Sequence, residues 1–210
     1  MYIKEFNVIY TEKKTDEYRL YICKKSLENQ LYRIFELADR NKIAEYIKYF
    51  NSLNFKDFYG DFSIDEKYYI VFKHPDGIIA GDSDWKKLSA KDIVKALVLQ
   101  NPPLEIAVPM LSFNNIFVYE KEIRFAYVLP MLDNRACKGL LEEKLADMID
   151  LIWSEHRTPE AKRWLDSLRS GKFSHLVIAL KYMPENEKAI PECKSEYYDR
   201  IKKILLKIAV

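Results

Sequence analysis

No glycine occurs in the first 59 residues, and Gly60 is the first of only five in the chain. A glycine-rich loop, which needs residues without Cβ so that backbone N–H groups can approach a phosphate, therefore has no place in the N-terminal region. Cysteine is scarce as well: Cys23, Cys137 and Cys193 are odd in number, far apart and without C-x-x-C spacing. That usage argues against a disulfide framework or a zinc site and points to reduced thiols in a cytosol. The histidines His74, His156 and His175 are too scattered for a metal site. Charge of neither sign prevails, since 34 Lys and Arg stand against 32 Asp and Glu, interspersed along the chain. A nucleic-acid partner is not expected from such a pattern. No stretch approaches the roughly 18 apolar residues of a membrane span, and MYIKEFNVIYTEKK at the N-terminus lacks the apolar core of a signal peptide. The expectation is a soluble, cytoplasmic chain.

What is abundant is hydrophobic residues, 49% of the 210, with 15 Tyr and 11 Phe. That is enough for a sizeable core in one domain or in two small lobes. Tyr2–Tyr10 and Glu17–Lys24 read as strands around the polar turn TEKKTD. From Leu27 to Leu53 the apolar residues Leu31, Ile34, Phe35, Leu37, Ile43, Tyr46, Ile47 and Phe50 follow helical spacing, interrupted at Asp39–Asn41. Phe55–Phe62 and Lys67–Lys73 read as two further strands joined at SIDE and closed by the turn His74-Pro75-Asp76-Gly77.

Beyond this point the pattern becomes mostly helical. Ser89 is placed to cap a helix carrying Ile93, Val94, Leu97 and Val98 and ended by Asn101-Pro102-Pro103. A hairpin is expected from Asn115–Tyr119 and Ile123–Val128, turning at EKE. Helices are expected over Leu140–Trp153 with a core stripe of Leu145, Met148, Ile149 and Ile152, after Thr158-Pro159, over Phe173–Met183, and from Glu196 to the end. Ala80–Leu88 is the expected boundary, giving residues 1–80 as a β-rich unit with a helix and 81–210 as a helical unit with one hairpin.

Strands, one helix, two strands, a connecting segment and a helical part broken by a hairpin is the element order of a protein kinase. YYIVFKHPDG resembles the last strand and hinge of a kinase N-lobe, and FNNIFVYEKEIRFAYV resembles the hairpin after the catalytic loop, with Asn115 where the loop asparagine stands. The resemblance implies an α+β, protein-kinase-like two-lobed fold with a small β-rich N-lobe and a mostly helical C-lobe.

Phosphoryl transfer depends on a few groups at fixed spacing. In H-R-D-x-x-x-x-N the base lies five residues before the asparagine, which here is Met110, a side chain that cannot accept a proton. With Asn114 as the counterpart the position becomes Pro109, and Glu105 lies too far upstream to serve. Tyr127 stands nearest the metal-binding Asp of D-F-G, while Asp133 would need a shifted register and is followed by Asn134 and Arg135. Lys24 in LYICKKS resembles the V-A-I-K lysine, with Glu36 or Glu45 as its helix partner, although Lys-Lys at a strand end more often marks a solvated edge. Nothing resembles a G-x-S-x-G nucleophile elbow. A catalytically inactive, pseudokinase-like binding module without cofactor or metal is expected; a divergent kinase or small-molecule phosphotransferase using Asp133 or Glu105 is the alternative.

Among kinase-like families the chain resembles the cytoplasmic domain of the EssB/YukC membrane subunit of type VII secretion systems in Gram-positive bacteria. PMLSFNNIFV, from Pro109 to Val118, carries the likeness together with the missing catalytic acids and a domain of this length ending in a basic segment. The resemblance implies a scaffold that binds other secretion components, commonly as a dimer, and does not hydrolyse ATP. It also implies that Lys202–Val210 begins a membrane helix with its lysines on the cytoplasmic side.

Overall fold

The computed structural model describes residues 1–52, 55–80, 88–120, 122–133, 135–155 and 157–185. The chain divides into two compact units, Met1–Pro75 with Tyr127–Asp133, and Asp76–Ala126 with Asn134–Val210. The first is a six-stranded antiparallel sheet of β1 (Tyr2–Ile3), β2 (Phe6–Lys14), β3 (Tyr18–Lys25), β4 (Leu31–Leu37), β5 (Phe58–Ile64) and β6 (Lys67–Lys73), in the order β1-β2-β3-β4-β6-β5, with helix α1 (Arg40–Phe50) between β4 and β5. The sheet curls until strands far apart in that order meet. Phe6 of β2 lies 5.6 Å from Tyr59 and 6.5 Å from Phe62 of β5, ring centre to ring centre. Ile3, Phe6, Tyr21, Cys23, Tyr32, Ile34, Tyr69 and Val71 fill the inner face.

The opposite face carries α1. Phe50, 2% exposed, stacks on Phe58 at 4.9 Å and meets Phe72 at 5.9 Å. Burial of each such ring stabilises by about 1.5–3 kcal/mol. Because both faces are covered, β4 and β6 are buried along most of their length. This overturns the helical reading of Leu31–Leu37: in LYRIFEL the apolar residues at 31, 34 and 35 match helical spacing, but residues on both sides of the strand are buried, which erases the alternation of a half-exposed strand. The helix starts only after Asp39, whose side chain accepts from the Asn41 N–H at 3.0 Å. Of the other strands, β2 runs on to Lys14, so the turn shrinks to Thr15–Glu17; β5 begins at Phe58; Asp65 and Glu66, at φ 49° and 62°, form the tight turn to β6.

The second unit joins a three-stranded sheet, β7 (Ile78–Ile79), β8 (Ile116–Tyr119) and β9 (Glu122–Phe125), to α2 (Ala90–Gln100), α3 (Leu104–Met110), α4 (Lys138–Ile152), α5 (Pro159–Arg169) and α6 (Leu176–Lys181). Ser89 and Thr158 cap α2 and α5 as the sequence anticipates, accepting from Asp92 N–H and Ala161 N–H at 3.2 Å each. Two elements are corrections. Ile78–Ile79 pairs with Phe117 and Val118, which turns the single hairpin into three strands. Gly77 makes the approach feasible: at φ +116° a Cβ there would stand 2.4 Å from the Val118 carbonyl oxygen. Helix α3 was not anticipated, because it follows Pro102-Pro103 directly and contains Pro109. Helix α6 is shorter than expected, and the helix expected from Glu196 lies outside the described residues, as do most of Ala80–Leu88 and His156.

Candidate functional site

The α1-bearing face of the first sheet reads as a set of cross-strand rows. One row is Tyr10, Ile22, Arg33, Phe72 and Phe58; the next is Lys24, Leu31 and His74, since the His74 N–H donates to the Leu31 carbonyl at 2.8 Å. Arg33 is the unusual member. It projects from the middle of a central strand, is 3% exposed, and its Nη2 lies 3.3 Å from Glu12 Oε1. Its Nε and Nη1 are buried and have no hydrogen-bond partner among the described residues. Its Cζ sits 5.9 Å from the centre of the Phe35 ring. Burial lowers the Arg33 pKa, while Glu12, Tyr18 and Tyr10 act in the other direction.

His74 neighbours Arg33 diagonally on this face. Burial first, and the Arg33 charge second, push its pKa down to about 3, so the ring stays neutral at ordinary pH. Both backbone groups of His74 are engaged: Gln30 Nε2 donates to its carbonyl at 2.8 Å, and its N–H is spent on Leu31. Next to Arg33, Phe72 is covered by Tyr127, whose ring stacks at 5.4 Å and 13°. Phe55 lies 5.2 Å from Tyr127, and the Tyr127 hydroxyl donates to Asp57 Oδ2 at 3.2 Å. Tyr127 is 1% exposed. The position read as the counterpart of a metal-binding Asp thus belongs to an aromatic stack on the sheet.

Lys24 lies on the same face, half-buried on β3. Strand β4 intervenes between β3 and α1, so the strand that runs straight into the helix carries Arg33 and no lysine. Glu36 is on β4, not on a helix, and points to the inner face, where it accepts from Tyr21 and Tyr69 hydroxyls at 3.3 and 3.1 Å and pairs with Lys67 at 3.3 Å and Arg19 at 3.6 Å. Glu45 is on α1. Among the described residues Lys24 is ion-paired with neither.

In the second unit, Met110 ends α3 with 0% exposure, and Asn115 ends the following short 3-10 turn. Asn115 Nδ2 donates to the Met110 carbonyl at 3.3 Å and its own carbonyl accepts from Ala126 N–H at 2.7 Å, which ties the five-residue loop to the end of β9. Gln100 of α2 adds a two-way clamp on the Phe125 backbone, at 2.7 and 2.9 Å. Glu105 lies in the first turn of α3 and Asp133 is exposed. Among the described residues no three His, Cys, Asp or Glu side chains gather as a metal site.

Arg33, Glu12 and His74 were missed as a group because β4 was read as a helix, while Glu12 and His74 were placed in turns on either side of it. One signal for β4 was present: Asp39 is a capping residue that marks where the helix starts and leaves Leu31–Leu37 outside it.

A curled antiparallel sheet with an inserted helix, followed by helices and a small sheet, defines a mixed α/β, protein-kinase-like fold. The chain is similar to the crystal structure of Rad53 1-466 in complex with AMP-PNP, with a TM-score of 0.59 and 14% identity over 85% of this chain. The match spans 65% of the length of that chain. Identity this low carries the fold and nothing further. No protein-family model and no curated protein matches the sequence. No helix among the described residues is long and apolar enough to cross a membrane.

Proposed function

We propose that the chain is a catalytically inactive, pseudokinase-like domain that serves as a protein–protein interaction scaffold, comparable to the cytoplasmic domain of the EssB/YukC subunit of type VII secretion systems. The observation that carries the reading is what fills the reactive positions: a fully buried methionine, Met110, where the base would stand and a stacked tyrosine, Tyr127, where the metal ligand would stand. Neither supplies a carboxylate for proton abstraction or Mg²⁺ binding. The secretion reading rests on PMLSFNNIFV and its hairpin, and names other secretion components, or a second copy, as partners of a membrane-anchored protein's cytoplasmic domain.

The test is phosphate transfer from ATP, with Mg²⁺ or Mn²⁺, to the domain itself and to a generic acceptor protein. No transfer above a no-protein control is expected. The second reading, a divergent phosphotransferase, is favoured by the AMP-PNP held in the similar Rad53 structure. It requires metal-dependent transfer that Asp133→Asn or Glu105→Gln abolishes.

A further inference from the structure

Loss of a base and a metal ligand stops phosphoryl transfer but leaves nucleotide binding open, so the two need separate accounts. On the first unit the binding question turns on Arg33. Strand β4 leads into α1 as a kinase's lysine strand does, and on the α1-bearing face it presents Arg33 and Phe35. A lysine in that setting extends toward phosphate. Arg33 instead lies along the sheet, 3% exposed, held by Glu12 at 3.3 Å and against the Phe35 ring. In the same rows, Tyr127 covers Phe72, and the backbone of His74 is bonded on both sides by Leu31 and Gln30.

We infer that Arg33 is an internal plug, whose side chain occupies this sheet face and excludes an adenine nucleotide by volume and by an already paired charge. The inference rests on the non-enzymatic reading above and extends it from phosphoryl transfer to nucleotide binding. Its second support is the cost of the arrangement. A buried guanidinium with Nε and Nη1 unbonded is a poor way to hold a sheet together, since an apolar side chain of similar length would do so at less expense in desolvation.

The experiment is calorimetric and thermal-shift titration with AMP-PNP, with and without Mg²⁺, of the wild-type domain, Arg33→Ala and Arg33→Met. Wild type and R33M, which keeps the volume and removes the charge, are expected not to respond at millimolar nucleotide. R33A, which removes both, is expected to show a saturable rise in melting midpoint and an affinity at least about tenfold above wild type. Should R33A fail to give the wild-type circular dichroism spectrum, Arg33→Val, a good strand former, carries the same test. A folded small-residue variant that stays unresponsive overturns the plug, as does nucleotide binding by wild type without transfer. Phosphate transfer by wild type overturns the scaffold reading together with the plug, whereas binding without transfer overturns the plug alone.

Discussion

Strand β4 buries one charge on each of its faces, and the two are treated differently. Glu36, 4% exposed on the inner face, is met by two tyrosine hydroxyls and two cations. Arg33, three residues earlier and 3% exposed on the α1-bearing face, has one carboxylate among the described residues. A charge withdrawn from water is tolerated when its hydrogen-bonding capacity is filled, and otherwise remains a local cost. Glu36 has the first character and ties β4 to its two neighbouring strands, β3 and β6. Arg33 has the second, which fits a group kept for what it occupies.

The largest expected effect comes from breaking the satisfied side. Glu36→Ala leaves two phenols and Lys67 without their acceptor, and burial together with the Glu36 charge already pushes the Tyr69 pKa upward. A loss of about 3–5 kcal/mol is expected, read as a fall in the urea midpoint. A loss below about 1 kcal/mol would mean that the carboxylate is not the tie proposed here.

On the other face the two partners should respond with opposite signs. Glu12→Ala strands a buried cation and should cost about 2–3 kcal/mol, while Arg33→Met leaves Glu12 on an open part of β2, where water can take over, and should be neutral or stabilising by about 1 kcal/mol. The double variant should therefore resemble R33M and not the sum of the two changes. Additive losses would show that the pair is an ordinary stabilising salt bridge, which would erase the contrast between the faces.

The same face predicts a pH response. Burial and the Arg33 charge push the folded His74 pKa down to about 3 from the ordinary 6.5, so the unfolded chain binds the extra proton first. Stability is then fully present above about pH 6.5 and falls as pH drops toward 3, with a slope of up to roughly 1.4 kcal/mol per pH unit. His74→Gln should flatten the melting midpoint between pH 6.5 and 4.5 relative to wild type. Equal slopes in both proteins would place His74 in water.

How much of this was legible in the sequence follows from what each segment exposes. Lys67–Lys73 and α2 could be read to the residue, and α5 from its first residue, because a strand between two turns, a serine cap before an apolar stripe, and Thr-Pro before Trp164 and Leu168 are local signals. Leu31–Leu37 could not, since a strand buried on both faces shows no period of two, and that error concealed Arg33 and moved Glu36 onto a helix. Ile78–Ile79 is too short to announce itself and becomes a strand only by pairing with β8. Within the candidate site, the absence of reactive groups at Met110 and Tyr127 was written in residue types, but the stack that holds Tyr127 against Phe72 depends on chain segments 55 residues apart.

The smallest effect concerns a loop whose geometry persists without its chemistry. Asn115 spans the five residues back to the Met110 carbonyl, while the residue at 110 offers only an apolar side chain to the interior. If the loop is retained for shape, Asn115→Ala should cost about 0.5–1.5 kcal/mol, the worth of one partly buried hydrogen bond, and should speed amide exchange at Ala126, whose N–H bonds to the Asn115 carbonyl. Asn115→Asp should do no better, because a carboxylate facing the Met110 carbonyl has no proton to donate at neutral pH. In an enzyme the aspartate variant would alter metal affinity. In a scaffold both variants should instead differ from wild type only in stability and exchange, and should respond alike to added Mg²⁺.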